Sequence, residues 1–292
     1  MTALTRTSST TTVPEGVKVA NVDYADQSSL IDALRGQDAL IITMKAGERE
    51  APGKLHEAAA TAGVPWIVPN EWGSDPTDAA LARDSFLGIV RDANRAQIES
   101  LGVSAWLGIA CGFWYEFSLA GSEVRYGFDF PSRSVTFYDD GATKINTSTL
   151  PQVGRAVASL LALKVLPQDE NDTSPTLSRF RNKTAFVSSF CVSQRDMLES
   201  VLRVTGDKAE DWTVTHQGSV ERYQDGLSRF QKGDLRGFGQ ALYARLFYQD
   251  GCGNYEAKHG LDNDALGLPK EDLDEFTKLA VDRALDPNRV PY

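Results

Sequence analysis

The feature that most narrows what this chain can fold into is a rhythm in its first third. Short apolar runs of strand length alternate with segments bearing helix punctuation. Residues 17–22 read as a short strand, and the polar run at 26–29 opens a helix to Leu34 with Gly36 just past its end. Residues 39–44 are a continuous apolar run, which predicts a strand buried on both faces. A helix near 55–61 stops at Gly63, and Trp66-Ile67-Val68-Pro69 gives the next buried strand. One long helix is expected from Leu81 to Leu101, closed by Gly102, and residues 104–110 return to strand. Strands joined through helices by short connections imply right-handed crossovers and a parallel sheet.

The pattern loosens after Gly112. Residues 135–141 suggest a strand running into a turn, 151–163 a compact helix, and 166–176 an exposed loop. Residues 185–190 read as strand and 193–204 as a helix closed by Gly206. From Ser219 onward the chain reads as mostly helical, with breaks at Gly226, at 251–253 and at Pro269. The expected fold class is therefore α/β. A Rossmann-like parallel sheet flanked by helices occupies 1–112, and a mostly helical, substrate-side portion occupies 113–292 of one domain.

Composition limits the function classes. With 41% hydrophobic residues in 292, material for a sizeable core is present. Thirty basic against forty acidic residues leave a net charge of −10, which disfavours nucleic acid and anionic membrane surfaces as partners. No run approaches the roughly 18 apolar residues that cross a bilayer, and no secretory leader pattern opens the chain. Cys111, Cys191 and Cys252 lack paired spacing and suit reduced thiols in the cytoplasm. His56, His216 and His259 show no ligand spacing, so no metal is expected. A Gly-x-Ser-x-Gly nucleophile elbow is not found.

In open parallel sheets ligands bind outside the carboxyl ends of the strands, which turns the strand assignments into candidate site residues. Thr2-Ala3-Leu4-Thr5-Arg6 reads as a strand ending in Arg6. An arginine there suits the 2′-phosphate of NADP, where an acidic residue would select NAD, or it is a solvated terminal side chain. Asp23 either meets the adenine edge or caps a turn. Thr43, Met44 and Lys45 close the next strand. Pro69, Asn70, Glu71 and Trp72 form either a cleft wall or a structural turn. Gly112, Phe113 and Trp114 follow the last strand, where an aromatic cluster reaching Phe117 reads equally as core and as a platform for an aromatic substrate. The acidic run Glu271, Asp272, Asp274 and Glu275 reads as a solvated helix face.

These residues carry a family resemblance. The stretch from Leu55 through Ala62-Gly63-Val64-Pro65-Trp66-Ile67-Val68 to Pro69-Asn70-Glu71-Trp72-Gly73 resembles the helix–strand signature of NmrA-like and isoflavone-reductase-like proteins, which are atypical short-chain dehydrogenase/reductases. Ala3-Leu4-Thr5-Arg6 resembles their second strand with its phosphate-binding arginine. Ala33-Leu34-Arg35-Gly36-Gln37-Asp38-Ala39-Leu40-Ile41 and Ile98-Glu99-Ser100-Leu101-Gly102-Val103-Ser104-Ala105-Trp106 resemble later helix-to-strand passages. Gly112-Phe113-Trp114-Tyr115-Glu116 and Ser189-Phe190-Cys191-Val192-Ser193-Gln194 are similar to a fungal, CipA-like subgroup. The resemblance implies an NADP(H)-dependent oxidoreductase acting on a small, aromatic or other secondary-metabolite substrate.

The chain departs from that pattern in two places. The family opens with a strand and a Gly-x-x-Gly-x-x-Gly turn that lets backbone N–H groups approach the pyrophosphate. The sequence as it stands begins at the second strand. The expectation is that it starts downstream of a natural start, or is a degraded or alternatively spliced form short by roughly 25 to 30 residues at usual element lengths. Secondly, the family's proton-handling lysine falls at Arg91. A guanidinium stays protonated, so it can hold an oxyanion but serves badly as acid or base. Arg91, Arg95 and Glu99 share one helical face, so Arg91 reads either as structural or as catalytic, and Arg95 with Glu99 reads as a simple surface pair. The alternatives are a cofactor-sensing regulator without catalysis, and a chain that binds no dinucleotide. Oligomeric state is left open.

Overall fold

The computed structural model describes residues 1–45, 48 and 50–288. They group into two compact units. The first comprises Met1–Glu71, Ile89–Gly108 and Leu177–Thr184, and the second Trp72–Gly88, Ile109–Thr176 and Ala185–Tyr292.

The expected strand–helix alternation is present in the first unit. The strands Thr2–Arg6 and Lys18–Val22 pair in parallel, with Leu4 opposite Ala20. A four-stranded sheet has the order Lys183–Phe186, Ala105–Ala110, Trp66–Val68, Ala39–Ile41, and its last two pairings are parallel. The parallel strands of the first unit thus lie in two hydrogen-bonded sheets, and parallel pairs also occur in the second unit, between Thr213–Gln217 and Ser134–Tyr138 and between Phe113–Trp114 and Ile145–Ser148. Ala39–Ile41 stands at an end of the larger one, which corrects the expectation that it is buried on both faces. Ile41 is 37% exposed, while every residue of the interior strand Trp66–Val68 is buried.

Helices cover this sheet for local reasons. Asp26 accepts the Ser28 N–H and so caps Gln27–Leu34. Gly63, at φ 80°, supplies the left-handed residue that ends Ala51–Ala62. Their apolar faces meet in a core of Leu30, Leu34, Leu55, Ala58, Ala59, Ile67 and Ile98. Each buried leucine or isoleucine contributes about 1.5–3 kcal/mol relative to exposure.

In the second unit, a three-stranded sheet orders Phe190–Val192, Ile145–Ser148, Phe113–Trp114. A second orders Thr213–Gln217, Ser134–Tyr138, Phe128–Asp129. The long helices Leu150–Ala162, Gln194–Thr205, Ser219–Gln231, Arg236–Leu246 and Leu273–Leu285 give this part the expected helical character. Its core is aromatic, built on Tyr115, Tyr126, Phe128, Tyr138 and Phe247, all fully or almost fully buried.

Several boundary expectations fail for tertiary reasons. The single helix expected over 81–101 is two, Ala79–Asp84 and Gly88–Leu101. Phe86 between them sits at φ 61°, and a Cβ on Gly88 would lie 2.7 Å from that of Ala82. The strand expected at 185–190 is split into Lys183–Phe186 and Phe190–Val192. Gly226 breaks nothing, for it lies inside Ser219–Gln231 where the backbone of Arg236–Leu246 comes close. The acidic run at 271–275 is a solvated face only in part, with Asp272 and Glu275 exposed. Glu271, 5% exposed, accepts bonds from Thr149, Ser189 and Arg155, Asp272 caps the last helix, and Asp274 holds Ser200 and Arg203.

Candidate functional site at the strand tips

In the first unit the strand exits carry the candidates that the sequence singles out. Arg6 ends its strand exposed to solvent. Its charge reaches the half-buried Tyr24, whose hydroxyl pKa is raised by burial and drawn back by the guanidinium. Asp23 is occupied locally, since its Oδ1 accepts the Ala25 N–H at 2.8 Å while its own N–H donates to Ser29 Oγ. Asp23 Oδ1 thus closes a local turn. Thr43 and Lys45 are exposed at the neighbouring tip.

Met44 and Asn70 form a clasp between adjacent strand exits. The Met44 N–H donates to Asn70 Oδ1 at 3.1 Å, and Asn70 Nδ2 donates to the Met44 carbonyl at 3.2 Å. The Asn70 amide is thereby committed to holding two tips in register. Pro69 is buried beside it, and its carbonyl accepts the Glu71 N–H.

Glu71 turns inward. Its side chain is 6% exposed, and Oε2 accepts from Arg95 Nε at 2.9 Å and Nη2 at 2.6 Å. Burial pushes the carboxyl pKa up, against the pull of Arg95 and Arg91. Oε1 is buried with no hydrogen-bond partner among the described residues. Arg95 stacks 3.9 Å over the Trp106 ring, and Trp106 Nε1 donates to Glu99 Oε1 at 2.7 Å. The expected Arg95–Glu99 surface pair is therefore wrong, because both side chains have better-placed tertiary partners. Arg91 is 16% exposed and pairs with Asp92 at 2.8 Å.

In the second unit Gly112, at φ 64°, is required by space, since a Cβ would run into the Asn146 carbonyl. Its N–H and that of Cys111 both donate to the Gly73 carbonyl, at 3.0 and 2.9 Å. Phe113 stacks on Tyr243 with centroids 3.8 Å apart, and Tyr115 is fully buried with its hydroxyl 2.7 Å from Thr277 Oγ1. These two rings are structural in large part. Trp72 is partly buried. Trp114 is partly buried, and its Nε1 is enclosed without an acceptor at hydrogen-bond geometry. The neighbouring Cys111 thiol, pushed up to about 12 by its burial, feels the indole only as a smaller opposing influence.

The sequence reading missed the Glu71–Arg95 pair and the Asn70 clasp. The helical spacing of Arg91 and Arg95 was the available signal for the first, but it names a face and leaves the partner unstated. Among the described residues, no cluster of His, Cys, Asp or Glu could hold a metal ion, and no helix is long and apolar enough to cross a membrane.

Parallel strands flanked by helices, with polar side chains gathered at their carboxyl ends, define a Rossmann-like α/β architecture. No family model matches the chain. Among curated proteins it is similar to "Oxidoreductase poxI" of Penicillium oxalicum, 27% identical over 282 residues that cover 94% of this chain and 84% of that protein. Among solved structures it is similar to AtPrR2 with NADP+ and (+)pinoresinol, with a TM-score of 0.70 at 16% identity, covering 91% of this chain and 82% of the other. An isoflavone reductase gives a TM-score of 0.69 at 19% identity, covering 94% and 89%. The resemblance is borne out at the level of the fold: this chain has the fold of isoflavone-reductase-like proteins.

Proposed function

We propose that this chain is an NADP(H)-dependent oxidoreductase acting on a small, aromatic or other secondary-metabolite substrate. The observation that carries the reading is the exposed Arg6 guanidinium at the end of its strand, beside Tyr24, where a carboxylate would favour NAD. Arg6 would take the 2′-phosphate in a forked, charge-assisted pair, and the exposed Lys45 gives a second cation for the phosphates. The segments at Thr43–Lys45 and Pro69–Glu71 would line the cofactor. Bound NADPH would supply the hydride, and the protein orients the reactants. Trp72, Gly112, Phe113 and Trp114 belong to the substrate side of this reading. Three unpaired thiols support a cytoplasmic setting.

One observation favours a second reading, a regulator that senses the dinucleotide without turning it over. Arg91 stands where a proton-handling lysine is expected, and it is tied to Asp92. The two are separated by titrating NADPH and NADH by fluorescence and then following NADPH loss with aromatic enones, ketones and quinones. Arg6→Ala should weaken NADPH about tenfold or more, as loss of a charge-assisted phosphate contact does, and leave NADH nearly unchanged. Equal loss for both would remove the phosphate role. Binding without any turnover across the panel would favour the regulator.

A further inference from the structure

We propose that Glu71 determines cofactor specificity, its Oε1 accepting the carboxamide N–H of the nicotinamide, with Arg95 as the positioning residue that aims it. The inference rests on the NADP(H) reading above and extends it to the other end of the dinucleotide.

The geometry is that of a fixed, half-used carboxylate. Both Arg95 contacts fall on Oε2, so one oxygen is anchored and the other is left. Arg95 itself has little freedom, stacked on Trp106 and donating to Thr184 Oγ1 at 3.3 Å. Gly108 keeps the space open for this arrangement. A Cβ there would lie 2.9 Å from Thr184 Oγ1 and 3.0 Å from Arg95 Nη2. A buried acceptor without a donor costs about 1–3 kcal/mol, more when charged, and native proteins hold few of them. An orphan oxygen on a carboxylate anchored through its other oxygen is what a site for an absent donor requires.

Position narrows which donor. Glu71 follows Trp66–Val68, an interior strand, and the ligand side of such a sheet is the carboxyl end of its strands. With Arg6 taking the 2′-phosphate at the adenosine end, the donors of the dinucleotide's other half are the carboxamide N–H2 and the hydroxyls of the second ribose. An ionised carboxylate accepts only, so it welcomes an amide and repels a second carboxylate.

Calorimetric titration of the whole chain with three ligands tests this. They are NADP+, its analogue in which the carboxamide is a carboxylate (nicotinic acid adenine dinucleotide phosphate), and 2′-phospho-ADP-ribose, which has no nicotinamide. The wild type should bind NADP+ at least about tenfold more tightly than the acid analogue, the scale of one charged hydrogen bond. Glu71→Gln, which keeps the shape, should bring that ratio close to one, and Arg95→Lys should shrink it. Neither should change the affinity of 2′-phospho-ADP-ribose. A wild-type ratio near one overturns the proposal without recourse to any variant, as does an unchanged ratio in Glu71→Gln. If Glu71→Gln weakens both dinucleotides equally, the donor is a ribose hydroxyl and the carboxamide assignment is wrong. Failure of all three ligands to bind would instead defeat the NADP(H) reading, since the adenosine fragment does not need Glu71.

Discussion

His56 shows how a single buried side chain ties stability to pH. Its ring is fully buried, Nδ1 lies 2.9 Å from Gln97 Oε1, and Nε2 has no partner among the described residues. Burial lowers its pKa below the ordinary 6.5. The unfolded chain therefore takes up a proton near pH 6.5 that the folded chain refuses until lower pH. The sign follows: stability is fully present above the unfolded value and is lost as pH falls toward the lowered folded one. Urea unfolding at about pH 7.5 and about pH 5.5 should show a loss on acidification, and His56→Gln should flatten that dependence. An unchanged slope in the variant would place the acid sensitivity elsewhere. Residues of this kind are poorly legible in sequence. His56 and Gln97 are forty-one positions apart, and Glu71 and Arg95 twenty-four. Only folding brings them together, whereas Arg6 could be singled out because its meaning depends on being at the end of its own strand.

At the scale of elements, periodicity read locally succeeded where the element is set locally. Trp66–Val68, Ala105–Ala110 and the helix Gln194–Thr205, with its Ser193–Asp196 capping box and Gly206 stop, lie close to their expected places. Glycine was the weak point, because the same residue ends one helix and lets another be touched. Gly226 and Gly154 both lie inside helices, and their surroundings give substitution opposite signs. A Cβ on Gly226 would lie 2.6 Å from the Ala241 N and 2.8 Å from the Gly237 carbonyl. Gly226→Ala must push two backbones apart and should cost about 1–3 kcal/mol. Gly154 has nothing within 4 Å of such a Cβ, so Gly154→Ala should stabilise by about 0.5–1 kcal/mol through helix propensity alone. Thermal unfolding midpoints moving in opposite directions would support this reading. A neutral Gly226→Ala would mean that the two helices separate easily.

At the scale of the whole molecule, the division of the first unit's parallel strands into two sheets sets where backbone protection is high and where it is low. Trp66–Val68 has a hydrogen-bonded neighbour on each side and no exposed residue. The ribbon of Thr2–Arg6 and Lys18–Val22 is two-stranded, with Leu4 and Val22 as its holds on the core, and Val19 half exposed. Two-stranded ribbons are marginal by themselves, and local opening draws on the regions with fewest buried contacts. The parallel character of the sheet was legible from strand–helix alternation. Its division was not, because a strand's apolar pattern records burial and carries no record of which edge is paired. Amide exchange should therefore be faster in Lys18–Val22 than in Trp66–Val68 by about a hundredfold or more, since opening the ribbon leaves the larger core intact. Saturating NADPH should slow exchange in the ribbon, because a phosphate held by Arg6 binds only when that strand end is formed, and RT ln(1 + [L]/Kd) then adds to its opening cost. Equal protection in both sheets would mean that the ribbon opens only with global unfolding. Slower exchange on binding at Trp66–Val68 alone would move the phosphate away from Arg6.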